Sequence, residues 1–204
     1  FSTYGATCFF EKYLNKKDEI FTTEELFFNN NSNHKLKQVL NIEKNIFFVP
    51  ACTYIPNEHK LNYKTQFNEE VYYNLLNDYD IIIFDCQTGY SEINKQIVKF
   101  ANKNLIISEA NALNSSATRL LYAQLSHELD ADNTFQLFNQ VTEEEYSLYS
   151  CISSDNFLFT NIGSIKQDWK IKKSFITMEL MSLDTNPILR NTLNRIIILL
   201  FPDF

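Results

Sequence analysis

Short runs of consecutive apolar residues alternate along this chain with segments whose apolar residues recur at helical spacing. The runs are Asn45–Val49 (NIFFV), Asp80–Asp85 (DIIIFD), Asn104–Ser108 (NLIIS), Thr134–Phe138 (TFQLF) and Asn156–Thr160 (NFLFT). The first three have continuous apolar centres rather than strict alternation. That pattern predicts strands buried on both faces, as in a parallel sheet covered by helices. The helical segments fall between them. Thr22-Thr23-Glu24-Glu25 has capping-box spacing ahead of Leu26 and Phe27. Apolar residues recur from Phe67 to Leu76, and a helix from Ser91 to Phe100 follows DIIIFD. From Asn114 to Leu129, the residues Ala117, Leu120, Leu121, Leu125 and Leu129 form one stripe, with Ser115 or Ser116 as its cap. Thr142 caps a helix that opens with Glu143-Glu144-Glu145, where acids suit the helix dipole. A last helix runs from about Pro187 to Leu200, with proline in its first turn. Asn29–Asn33 and Pro50–Lys64 read as loops.

Strands starting at 80, 104 and 134 with helices between them suit right-handed crossovers. The expected fold is a single α/β domain over residues 1–204. It has three layers and a mostly parallel, Rossmann-like sheet. Ligands of such sheets bind at the carboxyl ends of the strands, so the residues that follow each strand are the ones to inspect.

Composition narrows the function classes. Of the 204 residues, 45% are apolar and 15% aromatic, enough to build a core. A formal net charge of −7 argues against a dedicated nucleic-acid coat. Cys8, Cys52, Cys86 and Cys151 lie far apart, with no C-x-x-C pair, so a zinc or redox motif is not supported. They read as small buried hydrophobes in a reducing, cytoplasmic compartment. The longest apolar run, Ile196–Phe201, is too short to cross a bilayer; being apolar all round, it reads as the end of a core helix. His34, His59 and His127 share no ligand spacing. Lys166, Lys170, Lys172 and Lys173 surround Trp169 and form the one basic window, a solvated face or a contact for phosphates.

The sharpest chemistry is in Tyr79–Ser91. An apolar run delivers Asp85 to its carboxyl end, and Gly89 follows four residues later. A carboxylate there can hold a hydrated Mg²⁺ through water, and a glycine lets a backbone N–H approach a terminal phosphate. The same pattern equally fits a strand that ends in a turn-forming Asp.

YDIIIFDCQTGYS resembles the Walker-B and switch-II region of the ParA/MinD group of P-loop ATPases, usually YDxIIIDxPxG. Four further segments resemble that group in order. Leu36 to Ala51 is similar to the segment ending in its "IPA". Leu105–Asn111, with Ser115-Ser116 and Leu120-Leu121, resembles its fourth strand, loop and helix. Phe135–Val141 resembles the strand whose terminal asparagine recognises adenine, which would be Asn139. Ile162–Asp168 resembles the late "LGxIPxD" loop that lines the adenine pocket and includes Asp168.

The resemblance implies a P-loop NTPase-like ATPase that binds Mg and ATP, dimerises over the nucleotide, and positions a cargo on DNA or a membrane surface with the help of an activator protein. Plasmid or chromosome partition, division-site placement and mobile-element maintenance all fit. Asp85 would serve catalysis as the Mg²⁺-water ligand; Gly89, Asn139 and Asp168 would be nucleotide-binding. The group's KGGxGK[ST] loop is missing, and the chain has no Gly-Lys pair and only three glycines. The chain starts with Phe1 in sequence resembling the middle of the family pattern. The expectation is therefore that the first strand, P-loop and second strand lie upstream, and that this chain alone holds no Mg or ATP. Gln87 and Lys166 stand where the group usually has proline. The alternatives are an inactive scaffold of the same fold, or a relative of bacterial tyrosine kinases. The tail Phe201-Pro202-Asp203-Phe204 lacks the tyrosines of that last group.

Overall fold

The computed structural model describes residues 40–43, 45–49, 68–86, 89–153, 159–177 and 186–202. The elements expected at Thr22–Phe27, Asn29–Asn33 and Pro50–Lys64 lie outside them. The chain divides into two compact units, Phe1–Ile97 and Val98–Phe204.

In the first unit, β1 (Leu40–Glu43) and β2 (Ile46–Phe48) form an antiparallel pair. Asn45, at φ 68°, turns the chain between them, and asparagine tolerates that conformation better than most side chains. The NIFFV run was expected as a doubly buried strand of a parallel sheet. It is instead one arm of a hairpin, with Ile46 and Phe47 exposed.

Helix α1 (Glu69–Asp78) is capped by Asn68, whose Oδ1 accepts from the Glu70 N–H at 3.1 Å. It buries Tyr72 and Leu75. Tyr72 meets Phe84, and Tyr79 meets Phe47 edge-on. The DIIIFD run belongs to no ladder among the described residues. Its side chains alternate between exposed and half-buried, and Ile83 is 84% exposed. The strand expected at Asp80–Asp85 is thus not formed. Helix α2 (Glu92–Phe100) follows, buries Ile97 and is capped by Ser91, whose Oγ accepts from the Asn94 N–H at 3.0 Å.

The second unit is built on three parallel strands in the order β3-β4-β5: Asn104–Ser108, Thr134–Val141 and Thr160–Lys166. β3 and β4 pair in unbroken register from Asn104↔Thr134 to Ser108↔Phe138. The expected parallel strands NLIIS and TFQLF therefore form. β5 begins where NFLFT was expected to end, and it takes up Ile162–Lys166, read from the sequence as a loop. Of the NFLFT run, Asn156–Leu158 lie outside the described residues; Thr160, the first residue of β5, pairs with Phe135.

Side chains alternate along β4 as far as Asn139, so Phe135 and Leu137 face the layer opposite Phe138, and the register shift between Asn139 and Val141 turns Val141 to the side of Phe138. Phe135 and Leu137 join Ile162 beneath Ile196 of helix α6 (Pro187–Leu200), with Leu193 and Leu200 packed against them. On the other face, Phe138 packs with Val141 and Ala110 against Tyr146 and Tyr149 of helix α4 (Glu143–Ser153). Helix α3 (Ala112–Leu125) packs on β3. Its inward side is Thr118, Leu121, Tyr122 and Leu125; Ala117 and Leu120 of the expected stripe face solvent. The cap is Asn111, not Ser115 or Ser116. The Ile196–Phe201 run is likewise not uniformly core: Ile196 is buried, whereas Ile197, Ile198 and Leu199 are exposed. Among the described residues no helix is long and apolar enough to cross a membrane.

Candidate functional site

The carboxyl ends of β3, β4 and β5 lie side by side, because the strands are parallel and in consecutive order. Each end carries a polar group held by a local device. At β3, the Ser108 hydroxyl accepts from the amide of Gln136, which is buried at 2% exposure in the middle of β4. A buried amide needs such a partner. Just beyond, Glu109 accepts from the side-chain amides of both Asn111 and Asn114 (3.1 and 3.0 Å) while Asn111 caps α3.

At β4, Asn139 pairs with Ile165 and Val141 with Lys166, so Gln140 is an extra residue in the strand. Gln140 sits at φ 56°, an uncommon region for glutamine. Asn139, beside this bulge, is half-buried near the carboxyl end of the central strand. Among the described residues its side-chain amide makes no hydrogen bond, leaving both donor and acceptor available. The chain then enters α4 through a capping box. Thr142 Oγ1 accepts from the Glu145 N–H, and Glu145 accepts from the Thr142 N–H at 2.7 Å.

At β5, Gly163 adopts φ 125°, a backbone that other residues rarely take, and the Gln167 N–H bonds the Val141 carbonyl at 3.1 Å. Lys166 forms an ion pair with Glu143. Asp168 is half-buried, and both of its carboxylate oxygens are engaged. One accepts from the Lys170 N–H at 2.7 Å, capping the helix α5 (Trp169–Thr177). The other accepts from Asn186 Nδ2 at 2.5 Å, while Asn186 Oδ1 caps α6 through the Leu189 N–H.

Asn139, near the carboxyl end of β4, and Asp168, two residues past the carboxyl end of β5, thus belong to neighbouring strand ends of one sheet. Asp168 ties the first turns of α5 and α6 together through the Lys170 N–H and Asn186. Asn186, the other half of that tie, was not singled out from the sequence. It lies 18 positions beyond Asp168 and carried no local signal except its place before Pro187.

Asp85 and Gly89 belong to the first unit. Asp85 is exposed at the end of the DIIIFD run, and the adjoining Gln87 and Thr88 lie outside the described residues. Gly89 adopts φ 89°, and a Cβ there would meet nothing within 4 Å, so its requirement is conformational rather than steric. Its carbonyl accepts from Asn94 Nδ2 at 2.8 Å, which ties the turn to the first turn of α2. Burial pushes the Cys86 thiol pKa up, so its neutral form is favoured. No group of three or more His, Cys, Asp or Glu residues suited to a metal occurs among the described residues.

In comparisons with known proteins, no family model, no curated protein and no solved structure matches the chain.

Proposed function

We propose that the chain is a ParA/MinD-like ATPase domain that positions or partitions a cargo, with its phosphate loop supplied from outside these 204 residues. The observation that carries this reading is the uncommitted Asn139 amide. It stands at the bulged end of a parallel strand, next to the strand end that leads into the 163–168 segment and Asp168. One amide group offers the paired donor and acceptor that an adenine edge requires. In this reading Asp168 holds the adenine-lining segment from behind through Asn186. For the first unit, taken by itself, the resemblance gives Asp85 a role on Mg²⁺ through water and Gly89 a backbone N–H for a terminal phosphate. The protein works as a homodimer in the cytoplasm, on a DNA or membrane surface.

A second reading has its own support. The chain contains no Gly-Lys pair to cradle phosphates, which fits a scaffold of the same fold without ATPase activity.

Nucleobase recognition can be tested without the phosphate loop. Adenosine and cytidine are compared by saturation-transfer NMR on the 204-residue chain. Adenosine is expected to bind weakly and selectively, with Asn139→Ala abolishing the difference. Calorimetry with Mg-ATP should show no saturable binding at low micromolar concentration, because phosphate contacts normally dominate that affinity. Equal signals for the two nucleosides, or no effect of Asn139→Ala, would remove the nucleotide reading and leave the scaffold.

A further inference from the structure

The sequence marks the stretch around Trp169 only as a basic window. The structure makes it helix α5, nine residues long (WKIKKSFIT), with a composed outer face. Trp169 and Ile176 are seven residues apart, and two turns of helix bring them almost into line. Both point outward: Trp169 is 66% and Ile176 71% exposed. Lys172 lies to one side of that line and Lys173 to the other, with Lys170 beyond Lys173; all three lysines are exposed. The inward side is Ile171 and Ser174, both half-buried. No acidic residue occurs within the helix. The Asp168 carboxylate at its start is engaged by the Lys170 N–H and by Asn186. A helix carrying three positive charges and no negative one stands out on a chain whose formal charge is −7.

We infer that this face docks on an anionic lipid surface. The arrangement has an apolar centre with cationic flanks, as in helices that lie in the membrane interface. Trp169 suits the headgroup boundary, having an apolar body and one polar N–H. Ile176 can reach the acyl region beside it. Lysines on either flank can extend their stems over apolar surface and place their ammonium groups at lipid phosphates. Nucleic acid is the poorer fit. Phosphates would satisfy the lysines, and a base could stack on Trp169. However, the aliphatic Ile176 at the centre gains nothing from a phosphate backbone or a base edge. Nine residues bury little area, so the association should be reversible and salt-sensitive. This inference rests on the proposed function for a working surface and specifies it as lipid, while its test is independent of nucleotide binding.

Trp169 is the only tryptophan in the chain, so intrinsic fluorescence reports on this helix alone. The 204-residue protein is titrated with three probes: vesicles of equal parts phosphatidylglycerol and phosphatidylcholine, vesicles of phosphatidylcholine alone, and a single-stranded DNA oligonucleotide. The emission is expected to move to the blue with the anionic vesicles only, and brominated lipid should quench it. The double substitution Lys172→Glu with Lys173→Glu should weaken vesicle affinity by about tenfold or more, with circular dichroism and melting unchanged. Ile176→Ser should reduce brominated-lipid quenching while leaving a salt-sensitive residual association. The inference is overturned by no shift with anionic vesicles at low salt, by an equal shift with neutral vesicles, or by a response to the oligonucleotide alone. An unchanged vesicle affinity in the correctly folded Lys172→Glu, Lys173→Glu protein would overturn it as well.

Discussion

Asn104–Ser108 and Asp80–Asp85 are made of much the same material, and the molecule treats them differently. NLIIS pairs with β4 over its whole length, and the β4 residues opposite it are buried. DIIIFD, the more apolar of the two at its centre, joins no ladder among the described residues and turns Ile83 to solvent. A β-strand is therefore a property of the pair and its cover, not of the run. Strand propensity measures fit to a pleated, half-buried surface that neighbours must create. In residues 98–204 the neighbours exist: β4 is flanked on both edges and roofed by α4 and α6. In residues 1–97 the same kind of run, among the described residues, meets α1 through Phe84 and Tyr72.

The largest expected effect tests that contrast directly. Leu137→Ala removes a nearly fully buried side chain between the sheet and α6, and should cost roughly 2–5 kcal/mol of stability in urea unfolding. Ile83→Ala in the DIIIFD run should stay within about 0.5 kcal/mol, the usual range for an exposed position. Backbone amides of 134–138 should exchange with solvent far more slowly than those of 81–85. Should Ile83→Ala cost as much as Leu137→Ala, DIIIFD would be a buried strand after all and the contrast would fail.

Two glycines sharpen the comparison at a smaller scale. Gly163 and Gly89 both have positive φ, and at neither would a Cβ meet an atom within 4 Å. A substitution at either site therefore strains the backbone alone, by on the order of 1–2 kcal/mol. Gly163 lies inside β5, opposite Leu137, at a register shift. Gly163→Ala is expected to speed amide exchange along β4 as well as lower stability. Gly89→Ala is expected to loosen only the turn that Asn94 holds, and to leave β4 exchange at its original rate. If both substitutions accelerate β4 equally, the two units do not behave as separate cooperative bodies.

The features legible in the sequence were those whose cause is local. Thr142 was expected to cap the helix that opens with Glu143-Glu144-Glu145, and it does, with Glu145 closing a capping box that was not foreseen. Pro187 marks the first turn of α6 because its missing N–H costs nothing there. The misread features have distant causes. Ser115 and Ser116 looked adequate as caps, but Asn111 takes the role, because Glu109 gathers the amides of Asn111 and Asn114 and fixes the turn earlier. The stripe on α3 is rotated because the contact surface is set by β3 and by Phe159, which meets Tyr122 edge-on. At the candidate site Asn139 and Asp168 were named only through the resemblance to the ParA/MinD group. The bulge at Gln140 and the Asp168–Asn186 tie were not legible, since each depends on which strand or helix arrives beside it.

The smallest effect concerns acid, and it acts on the better-built region. Two carboxyls at the start of α4 are held below the ordinary glutamate range. Lys166, by hydrogen bond and charge, lowers Glu143; the backbone N–H and hydroxyl of Thr142 lower Glu145. A group whose folded pKa is depressed stabilises the fold fully above its unfolded pKa, about 4.3 for glutamate. That contribution is lost as pH falls from there through the lower folded value. Urea midpoints should therefore be level from about pH 7 to about pH 5 and decline below about pH 4.3. Glu143→Gln with Glu145→Gln should flatten this part of the decline, because glutamine still fits the capping box but does not titrate. Both groups are solvent-exposed, so the difference should be small and should shrink further in added salt. A double variant whose midpoint falls as steeply in acid as the original would show that these two glutamates do not set the acid response. The response would then have to come from carboxylates elsewhere in the chain, and acid stability would no longer distinguish the laddered region from the DIIIFD region.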